Sequence, residues 1–141
     1  MSILRLTNFA TTPTAMVLHD GASYFSQTWL GETAEARIRI RQLSNGVLHD
    51  LDATSQAVLI PQPFSSIVLV KLASRAAVIA KWDEWKVNAG KRAVLTGQDP
   101  VGATETCTAR LRQIKRLDAS KLVIQNKLKV ELFFVPINNW T

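Results

Sequence analysis

The chain has 141 residues, 47% of them hydrophobic and 20% charged, with a net charge of +6. That length and balance fit one globular domain with a core of its own, and no apolar run reaches the ~20 residues that span a bilayer. One cysteine and two histidines exclude an internal disulfide framework and leave too few ligands for a structural zinc site.

The first ten residues hold no signal-peptide apolar stretch. The chain is therefore expected to be made and kept in a cytoplasm, unless it leaves as part of a particle. After Leu6 comes "TNFATTPTA", polar and threonine-rich with Pro13, which reads as an extended arm over about residues 7–15. "AMVLHDG" reads as a strand ending in an Asp20-Gly21 turn, and "SYFSQTWLG" as a second strand stopped by Gly31.

In "EARIRIRQLSNGVLHDLD" the residues Ala36, Ile38 and Ile40 alternate with Arg37, Arg39 and Arg41. Period two predicts a strand with isoleucines facing a core and arginines facing out. Asn45-Gly46 predicts the hairpin turn, with "VLHDL" returning. Pro61 and Pro63 suit an edge or a crossover. "SSIVLVKLA" is a compact apolar strand, buried on both faces or at an interface.

"AKWDEWKVNAGKRAVLTG" raises the question of whether its paired tryptophans mark a site or a helix handing over to a strand. Ser74 is a natural N-cap, and Val78, Trp82 and Trp85 recur at helical spacing. Gly90 suits the left-handed end, with Lys91 and Arg92 just beyond it. The stretch predicts an amphipathic helix over about residues 75–89, followed by the strand "RAVLTG". In "TETCTARLRQIKR", Glu105, Cys107, Ala109 and Leu111 share one face. In "KLKVELFFVP", Leu128, Val130, Leu132 and Phe134 point inward, which leaves Phe133 and Val135 on the other face. Residues 136–141 form a short tail carrying Trp140. Many strands and one helix predict a mainly β single domain over 1–141, an antiparallel β-sandwich or split barrel with one flanking helix.

No catalytic constellation emerges. "VLHD" occurs at Val17–Asp20 and again at Val47–Asp50, but unlike flanks favour two strand ends over a His-Asp site. Lys91-Arg92 lacks the spacing and the Ser or Thr of a phosphate loop. Cys107 on an inward face reads as a small core residue. Two basic rows stand out: Arg37, Arg39 and Arg41, and then Arg110, Arg112, Lys115 and Arg116. Such rows meet nucleic acid, acidic partners or solvent. Within either strand no aromatic is interleaved for base stacking. Phe9 in the arm and Trp140 in the tail either fold back on their own domain or clasp a neighbour.

From the Trp82/Trp85 helix onward, the order of parts resembles bacteriophage tail proteins of the tube-like split-barrel kind. The helix ends at Gly90; "GKRAVLTG", the turn "TGQDPVGATE", "TCTARLRQIKR" and the final strand "KVELFFVPINNW" follow, so the resemblance covers about residues 74–140. It implies a structural virion protein, in the group of tail tube, terminator, distal tail and adaptor proteins. Such a protein is assembled in the host cytoplasm into a homo-oligomeric ring, with other copies of itself and other tail proteins as partners. It implies neither catalysis nor a cofactor, metal or membrane. The interface expected on this reading involves Phe9, Asn45, Gly46 and Trp140. The alternative reading is a nucleic-acid-binding module using a basic sheet face.

Overall fold

The computed structural model describes residues 3–31, 34–51, 59–117 and 125–141. Ten strands and one helix lie among them: β1 (Leu4–Phe9), β2 (Met16–Val17), β3 (Tyr24–Ser26), β4 (Trp29–Leu30), β5 (Ile40–Gln42), β6 (Leu48–Asp50), β7 (Phe64–Lys71), α1 (Arg75–Lys86), β8 (Arg92–Gln98), β9 (Thr104–Arg116) and β10 (Lys127–Pro136). The main sheet is antiparallel in the order β2-β1-β8-β9-β10-β7-β3, and β4 also pairs with β1. The short segment from β3 to β4 thus pairs with β7 at one end and β1 at the other. It bends the sheet into a nearly closed barrel, in which few backbone groups are left at an edge. The chain is mainly β with one flanking helix, as the alternation predicts.

Inward residues from each long strand fill the interior: Leu6 and Phe9, Leu95, Leu111, then Leu128, Val130, Leu132 and Phe134, with Val68 and Val70 opposite. The apolar stripe of α1 joins this core through Val78 and Trp85. Trp85 stacks on Tyr24 of β3 with ring centroids 5.9 Å apart. The paired tryptophans are therefore packing residues that pin a helix to a barrel. Ser74 caps the helix, its Oγ accepting from the Ala77 N–H at 3.2 Å. The helix stops at Lys86, one turn short of the predicted end, and the chain continues in turns to Gly90. Gly90 takes the expected positive φ of 90°, and its N–H donates to the Leu111 carbonyl, which ties the helix exit to β9.

Two bulges shift the alternation. In β1 the register with β8 slips between Leu6 and Asn8, so Leu4 and Leu6 point inward and the next inward residue is Phe9. Phe9 is fully buried, edge-on to Phe134 at 5.1 Å. The arm expected over residues 7–15 therefore begins inside a barrel strand, and Phe9 is a core residue of its own domain instead of an interface anchor. In β9 the register with β10 slips so that Phe133 faces Gln113 and Phe134 faces Leu111, which leaves Arg112 as the extra residue. Beyond it, Ile114 turns inward against the core.

The C-terminal tail also folds back. Thr141 and Thr106 exchange backbone hydrogen bonds at 3.0 Å each. Trp140 packs near Phe64, 5.9 Å between centroids, and above Gly97. A Cβ at Gly97 would meet the Trp140 ring at 3.4 Å and Leu4 at 3.3 Å, so only glycine gives both side chains their full room there.

Candidate interaction surfaces

The β5–β6 hairpin forms a two-stranded sheet separate from the barrel. Its register pairs Ile40 with Asp50, Arg41 with His49 and Gln42 with Leu48. At the tip the Gly46 N–H donates to the Leu43 carbonyl, and Gly46 has φ 85°. Asn45 Oδ1 accepts from the Val47 N–H at 3.0 Å. Asn45-Gly46 does make the turn, with Ser44 and Asn45 central and Gly46 as the left-handed residue after them.

By the register, Ile38, Ile40 and Leu48 share one face with Gln42 and Asp50, and Arg39, Arg41 and His49 share the other with Leu43, Val47 and Leu51. The expectation that the isoleucines meet a core of this chain is not met. Ile38, Ile40 and Leu48 are 69%, 54% and 66% exposed, and Leu43, Val47 and Leu51 are exposed as well. The hairpin stands off the barrel, so no core lies beneath its apolar face among the described residues.

The second basic row divides as well. The β9 bulge leaves Arg110, Arg112 and Lys115 exposed on the outer face of the barrel. Arg116 falls on the opposite face, where its guanidinium lies 5.8 Å from the Trp82 ring centroid. It belongs with the helix packing and not with a basic row. The rows at Arg37–Arg41 and Arg110–Lys115 lie on separate sheets.

The two VLHD stretches have unrelated settings. Asp20 Oδ1 accepts from the backbone N–H groups of Ala22, Ser23 and Tyr24, which hold its carboxyl below the ordinary carboxylate range, Tyr24 most strongly. His19 Nδ1 accepts from the Ser26 N–H at 3.2 Å. Burial, and then the nearby Arg5 charge, hold its imidazole below 6.5. Both residues brace the β2–β3 turn. His49 and Asp50 lie out on the hairpin, and no cluster of metal-ligating side chains occurs among the described residues. Because the folded His19 resists protonation, the native state has its full His19 contribution above pH 6.5 and loses it as pH falls from there toward the lowered value. Asp20 contributes above 3.8 and is lost as pH falls through its own lowered value. Thermal unfolding scanned from pH 8 to pH 5 should show a falling Tm in the wild type and a shallower slope in His19→Asn.

Cys107 is buried on the inward face of β9, and burial pushes its thiol up to about 12. A thiolate is what reacts. A thiol reagent at pH 8 should leave the native protein unlabelled and label it fully in denaturant. Rapid labelling of native protein would contradict this placement.

Tyr24 stacks on Trp85, Phe25 lies against Lys71, and Trp29 lies under Arg5. No helix among the described residues is long and apolar enough to cross a membrane. No protein-family model, curated protein or solved structure matches the chain.

Proposed function

We propose that this chain is a structural subunit of a phage tail, a ring or adaptor component that works by assembly with copies of itself and with other tail proteins. The observation that carries the reading is the β5–β6 hairpin. A lone two-stranded hairpin is marginal in water, yet this one presents Ile38, Ile40 and Leu48 to solvent on a single face. A neighbouring copy that covers this face removes apolar surface from water and stabilises the hairpin in one step. The nearly closed barrel with a flanking helix supports the same reading, because it leaves the hairpin as the projecting β-element. Head-to-tail contacts of this kind close into rings when the rotation per subunit permits.

The reading places the hairpin, with Asn45 and Gly46 at its tip, at the subunit interface. Hydrogen exchange at rising protein concentration tests it, together with negative-stain electron microscopy. Amides of residues 38–51 should gain protection with concentration, and closed rings should appear. Exchange that is independent of concentration, with no ordered assembly, would sink the proposal.

A further inference from the structure

We infer that the outer face of the barrel at β9 and β10 binds single-stranded nucleic acid, with Arg112 and Phe133 forming a slot for a base. The inference is independent of the assembly reading, which rests on the hairpin.

The cross-strand register builds this site. Arg110, Arg112 and Lys115 project from the exposed face of β9. Arg92 of β8 stands directly opposite Arg110. Like charges opposite each other on a sheet repel, and an anion held between them would relieve that repulsion. The Arg110 guanidinium donates from one nitrogen to the Gly90 carbonyl at 2.7 Å, which fixes its position on the face. Further along, Lys127 and Lys129 of β10 and Lys71 of β7 share the same outer face, with Lys127 opposite Lys71. Glu131, the one acidic residue in this stretch of β10, stands directly opposite Lys115 on this face, so Arg92, Arg110 and Arg112 carry most of the attraction at the slot.

The aromatic group comes from the neighbouring strand. Phe133 lies on the outer face of β10, opposite Gln113 and next to the bulged Arg112. A bulge re-aims side chains, and this one places two consecutive β9 residues beside a single aromatic ring. Phe133 and Arg112 line a shallow depression of about 240 Å³, walled by Pro63, Ser65 and Val135. A ring face and a guanidinium around a base-sized hollow are what unstacked bases use. Lys127 and Lys129, two residues apart on the unbulged end of β10, stand ~6.6 Å apart along the strand, a spacing suited to successive phosphates of an extended strand. A duplex keeps its bases stacked and has none to place in the slot.

The test is fluorescence anisotropy with labelled dT15, the matching 15-base-pair duplex and polyglutamate, on protein stripped of nucleic acid. The expected result is that dT15 binds more tightly than either competitor. Its log K should fall with log salt at a slope of about −2, as for roughly three neutralised phosphates on a single strand. Arg112→Gln, an exposed change, should weaken dT15 binding at unchanged Tm, and Phe133→Ala should weaken it about tenfold. Phe133→Leu keeps the apolar bulk and should show the same loss if the alanine variant does not fold. Absence of dT15 binding at low salt would overturn the inference. So would equal binding of duplex or polyglutamate, or affinity indifferent to Phe133 and Arg112. Repeating the titration on a hairpin variant that does not assemble keeps this outcome separate from the fate of the assembly reading.

Discussion

Replacing Phe134 by alanine is expected to lower the stability of the fold by about 3–5 kcal/mol, the range for a fully buried Phe. Phe134 is almost wholly buried at the centre of the barrel. Its ring meets Phe9 of β1 edge-on at 5.1 Å and Phe64 of β7 at 5.8 Å. Phe64 in turn packs against Trp140 of the tail. One chain of rings therefore joins the first strand, the last strand and the C-terminus. Its central member cannot be truncated without leaving a cavity that three elements line. Domains of this size have about 5–15 kcal/mol in total, so the variant will be marginal. Urea unfolding should show a much lower midpoint at unchanged slope. Val94→Ala, at a half-exposed position on the outer face of β8, should stay within about 0.5 kcal/mol of wild type. A loss below about 1 kcal/mol for Phe134→Ala would mean that the rings do not form the core described.

The second large effect concerns association. Burying an aliphatic side chain fully is worth about 1.5–3 kcal/mol. Changing Ile38 and Leu48 together to Asp should therefore remove at least ~3 kcal/mol of contact between copies, more than a hundredfold in dissociation constant. The fold itself should be nearly indifferent, because both side chains are mostly exposed in the single chain. A change of assembly without a change of Tm separates an interface role from a folding role. Arg41→Gln, on the opposite face of the hairpin, is the control and should leave association closer to wild type.

Much of the barrel was legible in the sequence because its long strands keep period two where they are buried on one face. Leu128, Val130, Leu132 and Phe134 are all inward as expected. The helix was legible from its cap and its Val78/Trp85 stripe. The misread places have local causes. Phe9 follows Leu4 and Leu6 at a spacing of three instead of two, because the bulge near Thr7 shifts the alternation. Its buried strand end therefore looks like a polar arm. The bulge at Arg112 moves Ile114 inward, brings Lys115 onto the face of Arg110 and turns Arg116 away from it. Strands β2 and β4 have two residues each, too few to show a period.

The hairpin failed differently. Its alternation was read correctly, but alternation says only that one face is apolar, not which body covers it. The aromatic beside the basic row was missed for a related reason. Phe133 neighbours Arg112 across strands, and a search within one strand cannot find it.

The most direct test of assembly through the hairpin is the light-scattering mass of the nucleic-acid-free protein across concentration, for wild type beside the Ile38→Asp, Leu48→Asp variant. Wild type is expected to form a discrete oligomer, and the variant a folded monomer. A wild-type protein that stays monomeric at the highest concentration, or a variant that assembles as well as wild type, would contradict it.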